Sequence, residues 1–556
     1  MAHHFPDRKE FKEQFFTLLR PEAGFYKVVL VYSLAISLLT LAVPLSVQLL
    51  VDTVANIALP RAVFLIASLL FALLFFSGVM YALRTYAMEL FSRKIYSRIS
   101  SEMAMTAMLA ESDYFEEHQQ ADLFNRYFDI ITIKKSLPSI LTNGFTFLLQ
   151  AIIGFTVVSF YHFYFMLYCL ALILLIWLIW RIWGWAAINT SFSLSQSKYD
   201  TASWLQSLAV TNESYRTTLN PTFAIEETDR LVSEHIACQM RHFRYTFAQL
   251  LSFLFLYAAA SAILLGVGGW LVIAGELTLG QLVAAELIML AILVGLPQVA
   301  GYLDSFFDVC AAVEEISRFR EVETQLPAKA TAVPVPEDFT AVFKAVKFSR
   351  FNRAKTFDFT LPAFASVRVL GDPISLKWLA ELMRANYQPE TGLITIGGID
   401  NLEIDRQSLR ESIKVIDRVT LLPMTISAYL DLFVSPDSAH SKQQALTALG
   451  LDEDIARLHK GLGAKLSRSG WPLTQPQAIR LKLASALLAK PRLLVLGDIV
   501  DSVEIGVMEE VISLLKQQGT TLLYFTKRQD LDTFSHTLEI EPESQRLTDI
   551  LREDDL

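Results

Sequence analysis

Six long apolar runs constrain what this chain can fold into more than any other feature of its sequence. They cover residues 26–50, 62–86, 138–160, 162–183, 249–274 and 281–300. A helix needs about 20 apolar residues to cross the hydrocarbon core of a bilayer, so each run is long enough to span a membrane. The sequence therefore predicts six membrane-spanning helices, and the lipid bilayer is the first expected partner.

The connections between the runs alternate between short and long. The short ones contain a single basic residue, Arg61, whereas the long ones contain many lysines and arginines. Because cytoplasmic loops are enriched in basic residues, we expect the long connections and both termini to face the cytoplasm. The long connections have helical patterns, which predicts that the membrane helices extend far into the cytoplasm before they turn back.

A change in composition after Arg320 marks the end of the membrane region. The next segment is rich in Pro and Ala, which is typical of a linker, and beyond it short β-branched runs alternate with helical patterns. The sequence predicts four regions: a cytoplasmic N-terminal segment at 1–24, a six-helix transmembrane domain at 25–320, a linker at 321–338 and a soluble α/β domain at 339–556.

Charge and cysteine content exclude two classes of function. The net charge is -9 and the isoelectric point is near 5.6, so we do not expect a nucleic acid partner. The three cysteines, Cys169, Cys238 and Cys310, lie far apart with no CxxC pair and no nearby His cluster. Neither a disulfide framework nor a metal site is therefore expected from them.

Several segments along the chain resemble one known family. They are PLSVQLLVDTV, TLGQLVAAELIML, YQPETGLITIGGID, SLRESIKVI and ASALLAKPRLLVLGD. In order and spacing they resemble the ABC exporters with type I transmembrane domains, most of all the bacterial type I secretion and peptide-export branch. The resemblance implies an α-helical membrane domain with six transmembrane helices and long cytoplasmic extensions, followed by an α/β P-loop-type ABC nucleotide-binding domain.

The same resemblance implies partners and a location. A member of the family is expected in the bacterial inner membrane, as a homodimer or as a heterodimer with another ABC half-transporter, with a periplasmic adaptor protein as a further partner. ATP and Mg²⁺ are the expected cofactors. Segments around Asn125 and Pro221 fall where the family places the short coupling helices that dock on the soluble domain.

The phosphate-binding loop of the family corresponds to GDPISLKWL, residues 371–379. Glycines in such a loop let backbone N–H groups curl around phosphates, Lys meets the β- and γ-phosphates, and Ser or Thr holds Mg²⁺. Gly371 and Lys377 match this pattern. Ile374 and Leu376 replace its internal glycines, and Trp378 replaces the metal-binding hydroxyl, so we expect weak binding or none.

The family's pair of acidic residues after the Walker B strand corresponds to Gly497 and Asp498. The first acid of the pair serves the metal shell and the second activates the attacking water. Asp498 is thus the candidate catalytic residue, at the position of the second acid. With the register shifted by one, Asp498 takes the metal position and Ile499 that of the base, so one carboxylate is missing in either case.

The remaining nucleotide motifs are also changed. The signature LSGGQ corresponds to LTQPQ, in which Thr474 keeps a hydroxyl and Gln477 keeps its amide, while Pro476 removes a backbone donor. Three further replacements are Asp417 for the Q-loop glutamine, Lys527 for the switch histidine, and Arg350, with Phe351 beside it, for the aromatic residue that stacks on adenine.

Two features stand out within the membrane runs. Glu286 lies in the sixth run, where a carboxyl group usually faces a bundle interior or a water-filled cavity. It is therefore a candidate residue of the substrate path. The alternative is that it forms a structural hydrogen bond within the helix bundle. Four tryptophans surround Arg181 at the end of the fourth run and are typical of an interfacial aromatic belt. These are Trp177, Trp180, Trp183 and Trp185.

Three functions stay open at this point. The first is a subunit of an ABC-exporter-like transport complex whose own nucleotide site does not hydrolyse ATP efficiently. The second is an ATP-driven exporter with an atypical but working site. The third is a membrane scaffold or sensor that transports nothing. Nothing in the six apolar helices indicates a substrate, and the direction of transport follows from the resemblance alone.

Overall fold

The computed structural model describes residues 8–56, 60–110, 121–216, 220–320, 322, 333–350, 353–435, 441–531, 533–540 and 545–549. The chain divides into two compact units, Met1–Thr324 and Gln325–Leu556. Phe351, the neighbour of the adenine-stacking position, lies outside the described residues.

The first unit is built from long helices. They are α1 (Arg8–Leu19), α2 (Ala23–Leu39), α3 (Ala42–Asn56), α4 (Pro60–Leu109), α5 (Tyr127–Ser139), α6 (Phe145–Ser159), α7 (Phe163–Ile179), α8 (Trp185–Val210), α9 (Asn220–Ile273), α10 (Leu279–Leu293) and α11 (Leu296–Ser317). Turns of π-helix join α5 to α6 at Ile140–Gly144 and α7 to α8 at Trp180–Gly184.

Among the described residues, six helical stretches are long and apolar enough to cross a membrane, which confirms the six-span prediction. They are Phe11–Thr53, Arg61–Leu109, Phe124–Ser159, Phe163–Val210, Pro221–Ile273 and Leu279–Ser317. Each has at least 36 residues. Because about 20 residues suffice to cross the hydrocarbon core, every stretch extends well beyond it.

Buried ion pairs tie these extensions together. Arg98 donates two hydrogen bonds to the Glu22 carboxylate, at 2.8 and 3.0 Å, and so joins α4 to the turn after α1. Arg126 donates to Glu315 at 2.5 Å, although 189 positions separate them in the sequence. A buried charge is tolerated when such a partner satisfies it, so these contacts fix how the extensions pack.

The segments expected to be coupling helices contain short 3-10 turns. One runs over Ala121–Arg126 and the other over Asn212–Arg216. Residues 217–219, which follow the second turn, lie outside the described residues. That these turns dock on the second unit stays a prediction.

The second unit contains two sheets. Its strands are β1 (Ala341–Arg350), β2 (Arg353–Leu361), β3 (Ser366–Leu370), β4 (Thr391–Ile396), β5 (Ile399–Asp400), β6 (Ile413–Ile416), β7 (Leu493–Leu496), β8 (Thr521–Phe525), β9 (His536–Ile540) and β10 (Gln545–Asp549). Strands β2-β1-β4-β5 form an antiparallel sheet, and the other sheet has the order β10-β9-β3-β8-β7-β6.

Helices cover the sheets of the second unit. They are α12 (Pro373–Met383), α13 (Arg406–Ser412), α14 (Ile426–Asp431), α15 (Lys442–Ala448), α16 (Asp452–Ala456), α17 (Gln475–Ala489) and α18 (Ile505–Gln517). Strand β7 is buried at every residue, as expected for a parallel strand in the centre of a sheet. This α/β architecture agrees with the predicted ABC-type nucleotide-binding domain.

Parallel pairing brings the carboxyl ends of β3, β8 and β7 to one edge of the larger sheet. In open α/β sheets ligands bind at this edge, in front of the helices that follow the strands. Gly371 follows β3 and Gly497 follows β7, so the sequence motifs singled out above lie at this edge.

Candidate nucleotide site

A carboxylate of the chain itself lies at the helix end where a phosphate would bind. Strand β3 ends at Leu370 and α12 begins at Pro373, so only Gly371 and Asp372 form the loop between them. Asp372 is the N-cap of α12, and its Oδ1 accepts a hydrogen bond from the Ser375 N–H at 2.9 Å. The first turn of a helix attracts anions, and here that anion is Asp372.

A lysine from a neighbouring strand holds this carboxylate in place. Lys355, on β2, donates from Nζ to Asp372 Oδ1 at 2.6 Å, and the Ser375 hydroxyl bonds to both groups. Partial burial acts to raise the pKa of Asp372, but the hydrogen bonds from Lys355 and Ser375 outweigh it, and the pKa is lowered from its ordinary value. The carboxylate is therefore ionised at neutral pH.

Leu376, which replaces the second internal glycine of the phosphate loop, and Trp378, which replaces its hydroxyl residue, are both part of the hydrophobic core. Leu376 is 5% exposed and Trp378 is 3% exposed. The Trp378 ring packs edge-on against Phe348, with 5.2 Å between the ring centroids. Both side chains thus stabilise the packing of α12 on the sheets instead of leaving room for phosphate or metal.

Leu376 also reaches the position of the first Walker B acid. A Cβ atom built on Gly497 would lie 3.3 Å from Leu376 Cδ1 and 3.3 Å from the Asp417 Cα. That spacing is tighter than most Cβ contacts, so a carboxylate at position 497 would force its neighbours to move. The two replacements are complementary: the larger side chain at 376 fits because residue 497 has none.

The other candidate residues lie at exposed or already bonded positions. Asp498 opens a 3-10 turn after β7 and is exposed, and Lys527 is exposed after β8. At the start of α17, the Thr474 N–H donates to Gln477 Oε1 at 2.9 Å, so the Gln477 side chain caps its own helix. Arg350 lies with its guanidinium carbon 4.6 Å from the centroid of the Tyr387 ring.

Comparison with known proteins finds similarities to one family. Residues 28–216 match the model of the ABC transporter transmembrane region. The whole chain is similar to the "Structure of a bacterial Atm1-family ABC exporter with ATP bound", with a TM-score of 0.80 at 16% identity, covering 99% of this chain and 97% of that one. In its membrane region and in its fold, the chain resembles the ABC exporters that have a six-helix membrane domain.

Curated relatives of this chain agree with that resemblance. The chain is 25% identical over 282 residues to the "Probable multidrug resistance ABC transporter ATP-binding/permease protein YheI" of Bacillus subtilis (strain 168). The matched residues cover 49% of this chain and 48% of that protein. The chain is 27% identical over 243 residues to the "Alpha-hemolysin translocation ATP-binding protein HlyB" of Escherichia coli O157:H7, covering 42% and 34%. The chain spans about half, or less, of the length of these relatives.

The residues at the start of α12, where the family binds phosphate, do not fit Mg²⁺ and ATP. Asp372 places a negative charge where the phosphates would have to lie, and like charges repel in a partly buried site. Trp378 offers no oxygen to Mg²⁺, which prefers oxygen ligands. Lys377, one turn into α12, is half-buried and lies next to both replacements.

Sequence reasoning missed Asp372, Lys355 and Ser375 as a group. A local signal was present, because Asp-Pro-Ile-Ser at 372–375 has an N-cap residue, a proline at the first helical position and a hydroxyl three residues after the cap. Lys355 carried no such signal, since it comes from another strand.

The structure brings Gly371, Lys377 and Asp498 to the same sheet edge, at the ends of β3 and β7. Among the described hydrogen bonds and ion pairs, none joins these three to Thr474 or Gln477. Glu286 lies in the other unit, on α10. Its Oε1 is buried and has no hydrogen-bond partner among the residues that the structure describes.

Proposed function

We propose that this chain is a subunit of an ABC-exporter-like membrane transport complex, with a nucleotide site that does not hydrolyse ATP. The observation that carries this proposal is the Asp372 carboxylate, which takes the place of phosphate at the start of α12 and is held there by Lys355 and Ser375. Buried Leu376 and Trp378 support it, because they remove the space for a phosphate loop and its metal.

The membrane unit supports transport over a passive scaffold. Glu286 has a buried carboxylate oxygen to which no described residue hydrogen-bonds, on a helix whose residues Ala285 and Ile288 belong to an apolar core. A group of this kind is costly to bury and is usually found along a substrate or ion path. We therefore assign Glu286 to that path. The names of the relatives refer to drugs and to a toxin, and they do not agree on one substrate.

The complex is a dimer in the bacterial inner membrane, with both termini in the cytoplasm. The asymmetry of basic residues between the long and short connections supports this orientation. A heterodimer with an intact ABC half-transporter gives the complex an energy source, although the LTQPQ segment would then face the partner's nucleotide. A periplasmic adaptor is a further partner in this scheme.

The test is calorimetry of MgATP binding to the purified full chain in lipid nanodiscs. We expect no binding heat at millimolar nucleotide, for the chain and for Lys377→Ala alike. Binding that disappears in Lys377→Ala would overturn the proposal and favour an exporter with an atypical but working site.

A second pair of variants tests the carboxylate itself. Asp372→Asn removes the internal anion, whereas Asp405→Asn removes an equivalent cap on α13, where Asp405 accepts from the Ser408 N–H at 2.9 Å. Asn caps a helix about as well as Asp, so neither change should remove the cap. The Asp372 variant loses only the negative charge that pairs with Lys355. Thermal shift should show weak stabilisation by pyrophosphate for Asp372→Asn alone. Equal responses of the two variants would show that Asp372 does not occupy an anion site.

A further inference from the structure

An aromatic pocket in the first unit contains two cations. It has a volume of about 390 Å³ and is formed by α1, the π-helical turn at Trp180–Gly184 with the start of α8, and Phe306 of α11. This volume lies in the range of about 300–1,000 Å³ that ligand sites have. The two cations in its lining are Lys12 and Arg181.

The wall of the pocket is packed and ordered by ring contacts. The Trp180 ring stacks on Phe307, with centroids 6.2 Å apart, and the Phe15 ring lies 6.2 Å from Phe306. The Trp180 indole can lie where it does because residue 184 is a glycine. A Cβ atom at position 184 would come within 2.8 Å of the indole. The irregular turn therefore places the indole on the pocket instead of along a regular helix.

Within the described part of the chain, no ion pair neutralises the cations of the pocket. Lys12 and Arg181 are exposed, and neither forms an ion pair with another of the described residues. No acidic side chain lines the pocket within the part of the chain that the structure describes. Phe16 is 67% exposed at its mouth and adds an apolar contact surface. The pocket thus combines an apolar wall with two free positive charges, which fits an anionic amphiphile.

The position of the pocket relative to the apolar runs indicates whether its ligand is a soluble molecule or a lipid. Arg181 is near the end of the fourth run, Phe306 follows the end of the sixth, and α1 precedes the start of the first. All three elements therefore meet at one membrane surface, at the depth of the lipid headgroups. Aromatic rings and basic side chains at that depth face phospholipid phosphates.

We propose that this pocket binds one anionic phospholipid, with its phosphate at Lys12 and Arg181 and the start of its acyl chain along Phe16, Phe306 and Trp180. The occupant is a lipid of the same leaflet that α1 faces, and it joins α1 to the ends of the fourth and sixth spans. This binding does not depend on the nucleotide site.

The experiment is native mass spectrometry of the full chain in detergent, titrated with dioleoylphosphatidylglycerol or dioleoylphosphatidylcholine. We expect one tightly retained phosphatidylglycerol per chain. Lys12→Gln with Arg181→Gln should weaken it by on the order of 10- to 30-fold, since each basic residue near a membrane surface contributes about 1 kcal/mol. The matched control, Lys27→Gln with Arg61→Gln, removes two other exposed charges and should change nothing.

A second variant tests the apolar wall without touching charge. Phe16→Ala should lower the affinity for phosphatidylglycerol by about 5-fold through lost apolar contact, whereas Phe160→Ala, at a ring that is 85% exposed elsewhere, should not. Equal retention of the two lipids, or unchanged binding in the Lys12 and Arg181 variant, would overturn the proposal.

Discussion

The two units of this protein differ in where they place charged side chains. In the membrane unit, charged side chains lie between helices in pairs, as Arg126 does with Glu315 and Arg98 with Glu22. At the sheet edge of the second unit, two positions that would meet a nucleotide instead hold apolar, buried side chains, Leu376 and Trp378. Ion pairs between distant segments stabilise the packing of the first unit. In the second unit, core side chains fill space that the nucleotide site would need.

This difference teaches that loss of a ligand site need not weaken a fold. A phosphate loop leaves backbone N–H groups and a cavity that only the ligand satisfies, whereas the α12 end satisfies its donors with Asp372. Restoring single residues of the family pattern should therefore damage the second unit before it returns any binding.

The largest expected effect tests the packed site. Trp378→Ser restores the hydroxyl of the family pattern but removes a buried ring, which typically costs about 3–5 kcal/mol. We expect faster hydrogen exchange in α12 and β1 and no gain in Mg²⁺ binding. Trp471→Ser is the matched control, because that ring is 72% exposed and its loss should cost less than about 1 kcal/mol. Equal hydrogen exchange in the two variants would show that the buried Trp378 ring does not stabilise the packing of α12.

The next effect tests the paired charges of the membrane unit. Arg126→Ala leaves Glu315, whose side chain is 1% exposed, without its main partner and should destabilise the unit by about 3 kcal/mol. Arg93→Ala removes an exposed pair with Glu89 and should cost less than about 1 kcal/mol. Thermal unfolding of the purified chain measures both. If Arg93→Ala were as damaging as Arg126→Ala, burial would not be the reason that these pairs matter.

The smallest effect, counted over a single pH unit, concerns a charge that the second unit does bury. Burial, with repulsion from Lys482, lowers the pKa of Lys414 from 10.5 to about 7. The unfolded chain therefore holds more protons than the folded one between these pH values. Stability should rise with pH from 7 towards 10.5, by at most about 1.4 kcal/mol per pH unit.

Thermal unfolding between pH 7 and 9.5 tests this rise. Lys414→Met should flatten it, because the variant has no proton to lose at that position. Lys460→Met removes an exposed lysine and should keep the slope of the original chain. A slope that survives in Lys414→Met would assign the pH dependence to other groups.

The fold was predictable because its signals are local. Each membrane helix is marked by its own apolar run, and β3 and β7 by short β-branched or aliphatic runs followed by Gly371 and Gly497. The site was not predictable in the same way. Lys355 reaches Asp372 from another strand, and Leu376 meets Gly497 across 121 positions of sequence, so neither contact has a local signature.

The Asp372 cap has a consequence for cell physiology. A domain that opens its phosphate position to solvent changes with the ratio of ATP to ADP and so reports the energy state of the cell. A domain that has its own anion at that position, fixed by Lys355 in the same chain, does not respond to the ratio of ATP to ADP. On our proposal this subunit keeps one conformation in starved and in growing cells, and any response to energy supply belongs to the protein it assembles with.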